Sequence, residues 1–92
     1  LGSIMVDNGA AAALKQGRSL LPAGICQIEG SFQRGDAVSI VTTKGNELGR
    51  GLIAYSSEDA KKIMGHKTGE IENLLGYRGR DELIHRDDLV IF

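Results

Sequence analysis

Glycine is unusually frequent along this chain, and that frequency limits what the chain can fold into. The sequence has 13 glycines among 92 residues, about twice the usual share. Glycine adopts positive φ without strain and weakens the interior of a helix. We therefore expect several short elements joined by sharp turns and no long helix. At this length we expect a single domain with one modest core.

The order of apolar and turn-forming residues predicts strands mixed with short helices. Strands are predicted from short apolar or alternating runs at 4–6, 24–29, 37–42, 48–55, 82–85 and 88–92. The first of these is expected to be an edge or terminal strand. Helices are predicted at 9–16, at 56–64 and after Thr68, with stops at Gly17, Gly65 and Gly76. This order predicts a mainly β fold with small helices, of the α+β class, in which a barrel-like sheet carries peripheral helices.

Several side chains are predicted to define the ends of these elements. Asp7 or Asn8 can cap the first helix, and Ser56 with Asp59 has the spacing of a capping box. Thr68 is expected to cap the third helix. Between the strands at 37–42 and 48–55, the turn at 44–46 favours a hairpin.

Charge and cysteine content restrict the function classes. The formal net charge is −1, whereas nucleic-acid-binding domains are usually basic. This argues against strong nucleic-acid binding but leaves room for a local basic patch. Cys26 is the single cysteine and predicts a reducing, cytoplasmic location. It is expected to be a buried, inert thiol. No apolar run approaches the roughly 20 residues that span a membrane, so no membrane association is expected.

No catalytic or metal site is predicted from the motifs. The segment at 65–68 resembles the end of a phosphate-binding loop, but His66 occupies the position that needs glycine and Ala60 replaces the upstream glycine. His66 and His85 lie far apart and lack ligand partners at helical spacing. We therefore expect no catalytic residue, metal ligand or cofactor site in this chain.

The glycine-bounded segment Gly17–Gly24 is the best candidate for binding. Glycines allow close approach of the backbone to a ligand, and free amides can meet phosphate oxygens. Lys15 and Arg18 add positive charge beside it. The alternative is a purely structural crossover in which Leu20 and Leu21 fill the core.

Four stretches of the chain, in order and at matching spacing, resemble one known family. They are residues 6–10 followed by 15–24, then 30–36, 49–57 and 75–90, and together they resemble the C-terminal PUA domain of bacterial glutamate 5-kinases. The resemblance implies a PUA-like β pseudobarrel over residues 1–92, a single domain excised from a longer kinase chain.

The same resemblance implies candidate contact residues and partners. In RNA-binding relatives the helix–loop–strand segment and the last strand form the contact face. Carried over, the candidates are Lys15, Gly17, Arg18, Ser19, Leu20, Leu21, Pro22, Gly24 and Arg86. In glutamate 5-kinases a separate domain phosphorylates glutamate with ATP and magnesium in proline synthesis, and proline inhibits it. This chain is thus expected to be non-catalytic and to bind no cofactor itself.

Two roles remain open for such a module. It can regulate or pack against its own kinase domain or a neighbouring subunit, or it can bind structured RNA through residues 15–24. The slight acidity of the chain and its four scattered aromatic residues weaken the RNA alternative.

Overall fold

A five-stranded mixed sheet forms the centre of the computed structural model, which describes residues 2–77 and 79–92. Leu1 and Arg78, the second of which belongs to the resemblance at 75–90, lie outside these residues. The strands are β1 (Gly2–Val6), β2 (Ile25–Gly30), β3 (Ala37–Thr42), β4 (Glu47–Leu52) and β5 (Leu89–Ile91). Their order in the sheet is β2-β1-β3-β4-β5. β1 runs parallel to β3, and the other neighbouring pairs are antiparallel.

Short helices accompany the sheet and confirm the α+β class. They are α1 (Asn8–Lys15), α2 (Ser57–Ile63) and α3 (Ile71–Leu75), with single 3₁₀ turns at Pro22–Gly24, Thr68–Glu70 and Arg86–Asp88. One core lies between the sheet and these helices, and it includes the fully buried Ile4, Ile40 and Ile63. Among the described residues, the helices are too short or too polar to cross a bilayer.

Local capping and turn signals are confirmed. Asp7 Oδ1 accepts a hydrogen bond of 2.7 Å from Ala10 N and so caps α1. Ser56 Oγ accepts one of 3.3 Å from the N–H of Asp59 at the start of α2. Gly45, at φ 86°, closes the β3–β4 hairpin. These features depend on residues within one turn of each other, which is why the sequence predicts them well.

β1 was predicted to be an edge or terminal strand, and the edge position is wrong. β1 lies between β2 and β3, pairing Ile4 with Ile28 on one side and with Ile40 on the other. Ile4 and Val6 are completely buried. The alternating residues Ile4 and Val6 face the core, while Met5 between them is half-buried. The interior position of β1 depends on its pairing with β3, which lies more than 30 residues later in the sequence and is not signalled near β1.

Cys26 is exposed, so the expectation of a buried thiol is wrong. Along β2, Gln27 pairs with Met5 and Ile25 pairs with Val6, which leaves Cys26 without a partner. Such a β-bulge places one extra residue in a strand and changes which side chains face inward. It brings both Ile25 and Ile28 into the core and turns Cys26 toward solvent.

Residues 82–85 do not form the predicted strand. Ile84 makes an isolated bridge to Leu20 instead. Leu83 and Ile84 are both completely buried, and neighbouring side chains of a regular strand would point to opposite faces. The strand predicted at 48–55 is also shorter, since β4 ends at Leu52.

Thr68 does not cap the third helix as predicted. It lies inside a 3₁₀ turn that Lys67 precedes without a side-chain cap. The Thr68 hydroxyl instead donates a long, 3.5 Å hydrogen bond to the carbonyl oxygen of Asp81. Gly76 does end α3, as predicted, with a φ of 80°.

Candidate functional site

The segment Gly17–Gly24, called the 17–24 loop below, is held to the body of the protein along its length. In its middle, Leu20 N donates to Ile84 O at 2.9 Å, and Leu83 N donates to Leu20 O at 2.7 Å. Toward its end, Gly65 N donates to Pro22 O at 2.7 Å. The loop is therefore a fixed part of the fold that connects α1 to β2.

A cleft of about 450 Å³ lies between this loop and α1. Gly24 lies directly against α1 in this cleft, because a Cβ added at Gly24 would lie 2.5 Å from the Cβ of Ala10. Asp7 N also donates to Gly24 O at 2.9 Å. Small residues at 10 and 24 thus set the width of the cleft. The residues that line it are Asp7, Gly9, Ala10, Ala13, Arg18, Ser19, Leu20, Leu21, Ala23 and Gly24.

The structure brings most of the sequence-predicted site residues to this cleft. Arg18, Ser19, Leu20, Leu21 and Gly24 line it, whereas Lys15, Gly17, Pro22 and Arg86 do not. The structural interpretation, in which Leu20 and Leu21 fill the core, is right for one of the two leucines. Leu20 fills the core at 1% exposure, while Leu21 stays 47% exposed.

Arg86 reaches the loop from the far end of the chain. Its backbone N–H donates a hydrogen bond of 2.9 Å to Ser19 Oγ. Arg86 lies in the 3₁₀ turn before β5 and is exposed. The predicted association of the loop with the approach to the last strand is therefore present as a direct contact.

Sequence reasoning missed the helix side of the cleft. Gly9, Ala10 and Ala13 belong to α1, and Ala10 and Ala13 stand three residues apart on one helix face. The signal was the run of small residues at 9–13, which leaves room for a groove beside a helix.

Most of the amides that the sequence suggested for phosphate contact are already engaged. The N–H groups of Gly17, Arg18, Leu20 and Gly24 donate to backbone carbonyls. Contact with an anionic ligand at this cleft would depend mainly on side chains. The basic ones nearest the loop, Lys15, Arg18 and Arg86, are all exposed.

Acidic groups offset this positive charge. Asp7 lines the cleft, and Asp87 and Asp88 follow Arg86 directly. The His85 ring is turned toward this acidic turn, since its Nδ1 accepts a hydrogen bond of 3.1 Å from Asp87 N. In residues 2–77 and 79–92, no three His, Cys, Asp or Glu side chains stand close enough together to hold a metal ion.

Comparison with known proteins identifies the family. The sequence model of the PUA domain matches residues 2–75. Glutamate 5-kinase of Paramagnetospirillum magneticum is 62% identical over 90 residues, which are 98% of this chain and 24% of that enzyme. The chain thus spans about a quarter of the length of the curated relatives it matches.

Solved structures show the same fold. A PUA domain from Aeropyrum pernix, crystallised as a tartrate complex, superposes with a TM-score of 0.69 and 27% identity, covering 92% of this chain and 41% of that one. A chain of an H/ACA RNP bound to a substrate RNA superposes with a TM-score of 0.63 over 95% of this chain and 25% of that one. At 22% identity, the second likeness shows the fold alone. Since the family match covers most of its length, this chain belongs to the PUA domain family.

Proposed function

We propose that this chain is the non-catalytic PUA module of a glutamate 5-kinase, with a regulatory or domain-packing role. The observation that carries the proposal is the 62% identity to such an enzyme across nearly the whole chain. In this proposal residues 1–92 form one domain of a longer cytoplasmic enzyme of proline synthesis. ATP, magnesium and glutamate would bind the part of the enzyme outside this chain, and that part would be the module's main partner.

A domain exchange tests this role. The matching 90 residues of the Paramagnetospirillum magneticum enzyme would be replaced by this chain, and a second variant would lack them. Glutamate-dependent ATP turnover and its inhibition by proline would be measured for both. We expect the exchange to keep the parental turnover and proline response, and the deletion to change at least one of them. A deletion variant that matches the parent in both would contradict a regulatory or packing role.

A second candidate function is the binding of structured RNA through the 17–24 loop. The observation that favours it is the Ser19–Arg86 hydrogen bond, because it brings a second arginine to the loop beside Arg18. The H/ACA RNP chain that shares the fold comes from a complex bound to RNA, but its low identity adds nothing beyond the fold. With Lys15, three basic side chains are available for phosphate contacts.

Salt dependence and one charge reversal test the RNA candidate. Three phosphate contacts predict a log–log slope of affinity against salt of about −2 to −3, and a dissociation constant on the order of 10–100 μM. Fluorescence anisotropy with a labelled tRNA would measure both. Arg18→Glu should weaken binding and flatten the slope, whereas Lys44→Glu, the same charge change in the β3–β4 turn, should alter both less. Equal binding by Arg18→Glu and the parent would exclude the loop as the RNA face.

A further inference from the structure

A second cleft, of about 380 Å³, lies where the chain leaves β4, enters α2 and returns after α3. Its lining includes Gln33, Arg34, Tyr55, Ser56, Tyr77 and Arg80. It shares no lining residue with the cleft of the 17–24 loop. Nothing in the proposed function uses it.

Two tyrosines form the fixed walls of this cleft. Tyr55 is buried and its hydroxyl donates to the carbonyl oxygen of Arg80. Gly79 lies directly against the Tyr55 ring, and an added Cβ at that position would overlap it. The Tyr77 hydroxyl donates to Asp59 Oδ2 at 2.6 Å. These contacts hold Tyr77 against α2 and Arg80 against Tyr55, so the shape of the cleft is built into the fold.

The two tyrosine hydroxyls stay protonated at neutral pH and donate these hydrogen bonds. Burial raises the pKa of Tyr55, and the carboxylates of Asp81 and Glu82 add to the effect. The hydrogen bond to Asp59 raises the pKa of Tyr77 to about 12. Because each hydroxyl proton already has an acceptor, the donors free to meet a ligand are other groups.

Those donors are arginine, glutamine and serine side chains. Arg34 and Arg80 line the cleft together with Gln33 and Ser56. Among the described residues, neither Arg34 nor Arg80 takes part in an ion pair. Ser56 Oγ accepts from Asp59 N, which leaves its own O–H to donate.

The charges of the lining favour an anion. Arg34 and Arg80 also line an adjoining cleft of about 250 Å³, so both arginines border the same region of the surface. Asp59 is the one acid among the described lining residues of the second cleft, and its Oδ2 accepts the hydrogen bond from Tyr77. Asp88 is the one acid among the described lining residues of the adjoining cleft, so two arginines face one acid in each. Guanidinium groups present a planar fork of donors that matches the oxygens of a carboxylate or a phosphate.

We propose that this cleft, bordered by Arg34 and Arg80 and walled by Tyr55 and Tyr77, binds a small oxyanion, with the arginines and Ser56 as donors. The ligand class is a carboxylate or a phosphate compound of a size that the cleft can hold. Pockets of this volume lie at the lower end of those that take small molecules.

A titration followed by backbone amide NMR tests the proposal on the 92-residue protein. Sodium phosphate and sodium succinate would be added in separate arms, with sodium chloride holding the ionic strength constant. We expect saturable shifts at the amides of Tyr55, Ser56 and Gly79 in at least one arm. Saturation with phosphate alone would identify a phosphorylated ligand class, and saturation with succinate alone a dicarboxylate class.

Matched arginine variants complete the design. Arg34→Gln and Arg80→Gln should each weaken binding by about tenfold, since a hydrogen bond to a charged group is worth roughly that factor. Arg18→Gln removes the same charge at the other cleft and should leave the binding unchanged. Three results would overturn the proposal. The shifts could be the same with sodium chloride alone, they could persist in both Arg34→Gln and Arg80→Gln, or they could disappear in Arg18→Gln.

Discussion

The hydroxyl oxygen of Ser19 accepts a hydrogen bond of 2.9 Å from the backbone N–H of Arg86, a residue 67 positions further along the chain. Together with the bridge between Leu20 and Ile84, this contact joins the 17–24 loop to the segment that leads into β5. The loop that forms the first cleft is thus positioned by the C-terminal part of the domain.

Removal of the Ser19 hydroxyl should loosen this junction. Ser19→Ala leaves the Arg86 amide without its acceptor, and we expect a loss of about 0.5–1.5 kcal/mol in the free energy of unfolding. Ser31→Ala, at an exposed position between β2 and β3, is the matched control and should change little. Urea unfolding curves measure both. Equal midpoints for the two variants would show that solvent replaces the Ser19 contact fully.

Gly24 should tolerate no side chain. In Gly24→Ala the new methyl group would lie 2.5 Å from the Cβ of Ala10, so α1 or the loop must move. We expect a loss of about 1–3 kcal/mol from overpacking. Gly9→Ala is the control in α1, because its methyl group meets only Asp7 Oδ1 at 3.5 Å. It should stabilise the helix by up to about 1 kcal/mol. Thermal unfolding of the two variants should therefore shift in opposite directions, and a shared direction would contradict the crowding argument.

Gly51 lies inside β4, between β3 and β5. A Cβ there would lie 2.7 Å from Ile84 Cγ2 and 3.1 Å from Asp88 O. We expect Gly51→Val to lower the free energy of unfolding by about 1–3 kcal/mol. Gly69→Ala, where nothing lies within 4 Å of an added Cβ, serves as control. An unchanged unfolding midpoint for Gly51→Val would show that the sheet yields at this position.

The raised pKa of Tyr77 should make the stability of the fold depend on pH in the alkaline range. Its pKa in the folded protein is raised from 10.0 to about 12, chiefly by the hydrogen bond to Asp59. The contribution of this bond to stability is therefore fully present below pH 10 and is lost as the pH rises through about 12. The stability advantage of the parent over Tyr77→Phe should shrink across that interval.

Ultraviolet absorbance of tyrosinate measures the same titration directly. In Asp59→Asn the hydrogen bond to a charged acceptor is gone, so the pKa of Tyr77 should fall toward 10.0. Tyr77→Phe identifies which part of the signal belongs to Tyr77, since Tyr55 is the other tyrosine. If the transition assigned to Tyr77 stays late in Asp59→Asn, the hydrogen bond to Asp59 is not the cause of its raised pKa.

The features that the sequence predicts well are local. The strand at 37–42 has its predicted bounds, because apolar and polar residues alternate there and a hairpin turn follows. Asp7 caps α1 as expected, since donor and acceptor are three residues apart. Five residues that the glycines at 17 and 24 and the family resemblance singled out line the first cleft, namely Arg18, Ser19, Leu20, Leu21 and Gly24. Their role in binding stays a prediction.

The features that the sequence misses depend on contacts between distant segments. The exposure of Cys26 follows from a bulge opposite β1, and no residue near Cys26 signals it. Ile84 pairs with Leu20 instead of extending a strand, because both it and Leu83 are needed in the core. The second cleft escaped notice for the same reason, since Arg34, Tyr55 and Arg80 are far apart in sequence.

The interior position of β1 also has a consequence for the order of events in folding. β3 and β4 are joined by a tight hairpin, whereas Ile4 of β1 must find Ile40 in parallel register across a long stretch of chain. Bringing Ile4 and Ile40 together closes a long loop, and the chain loses entropy before the contact between the two strands can form. We expect Ile40→Val to slow folding and Ile4→Val mainly to speed unfolding, as stopped-flow kinetics in urea would measure. Equal slowing of folding by both would place β1 in the rate-limiting step. Otherwise β1 joins the sheet after the β3–β4 hairpin has formed, and β2, whose partner in the described sheet is β1, can pair only then.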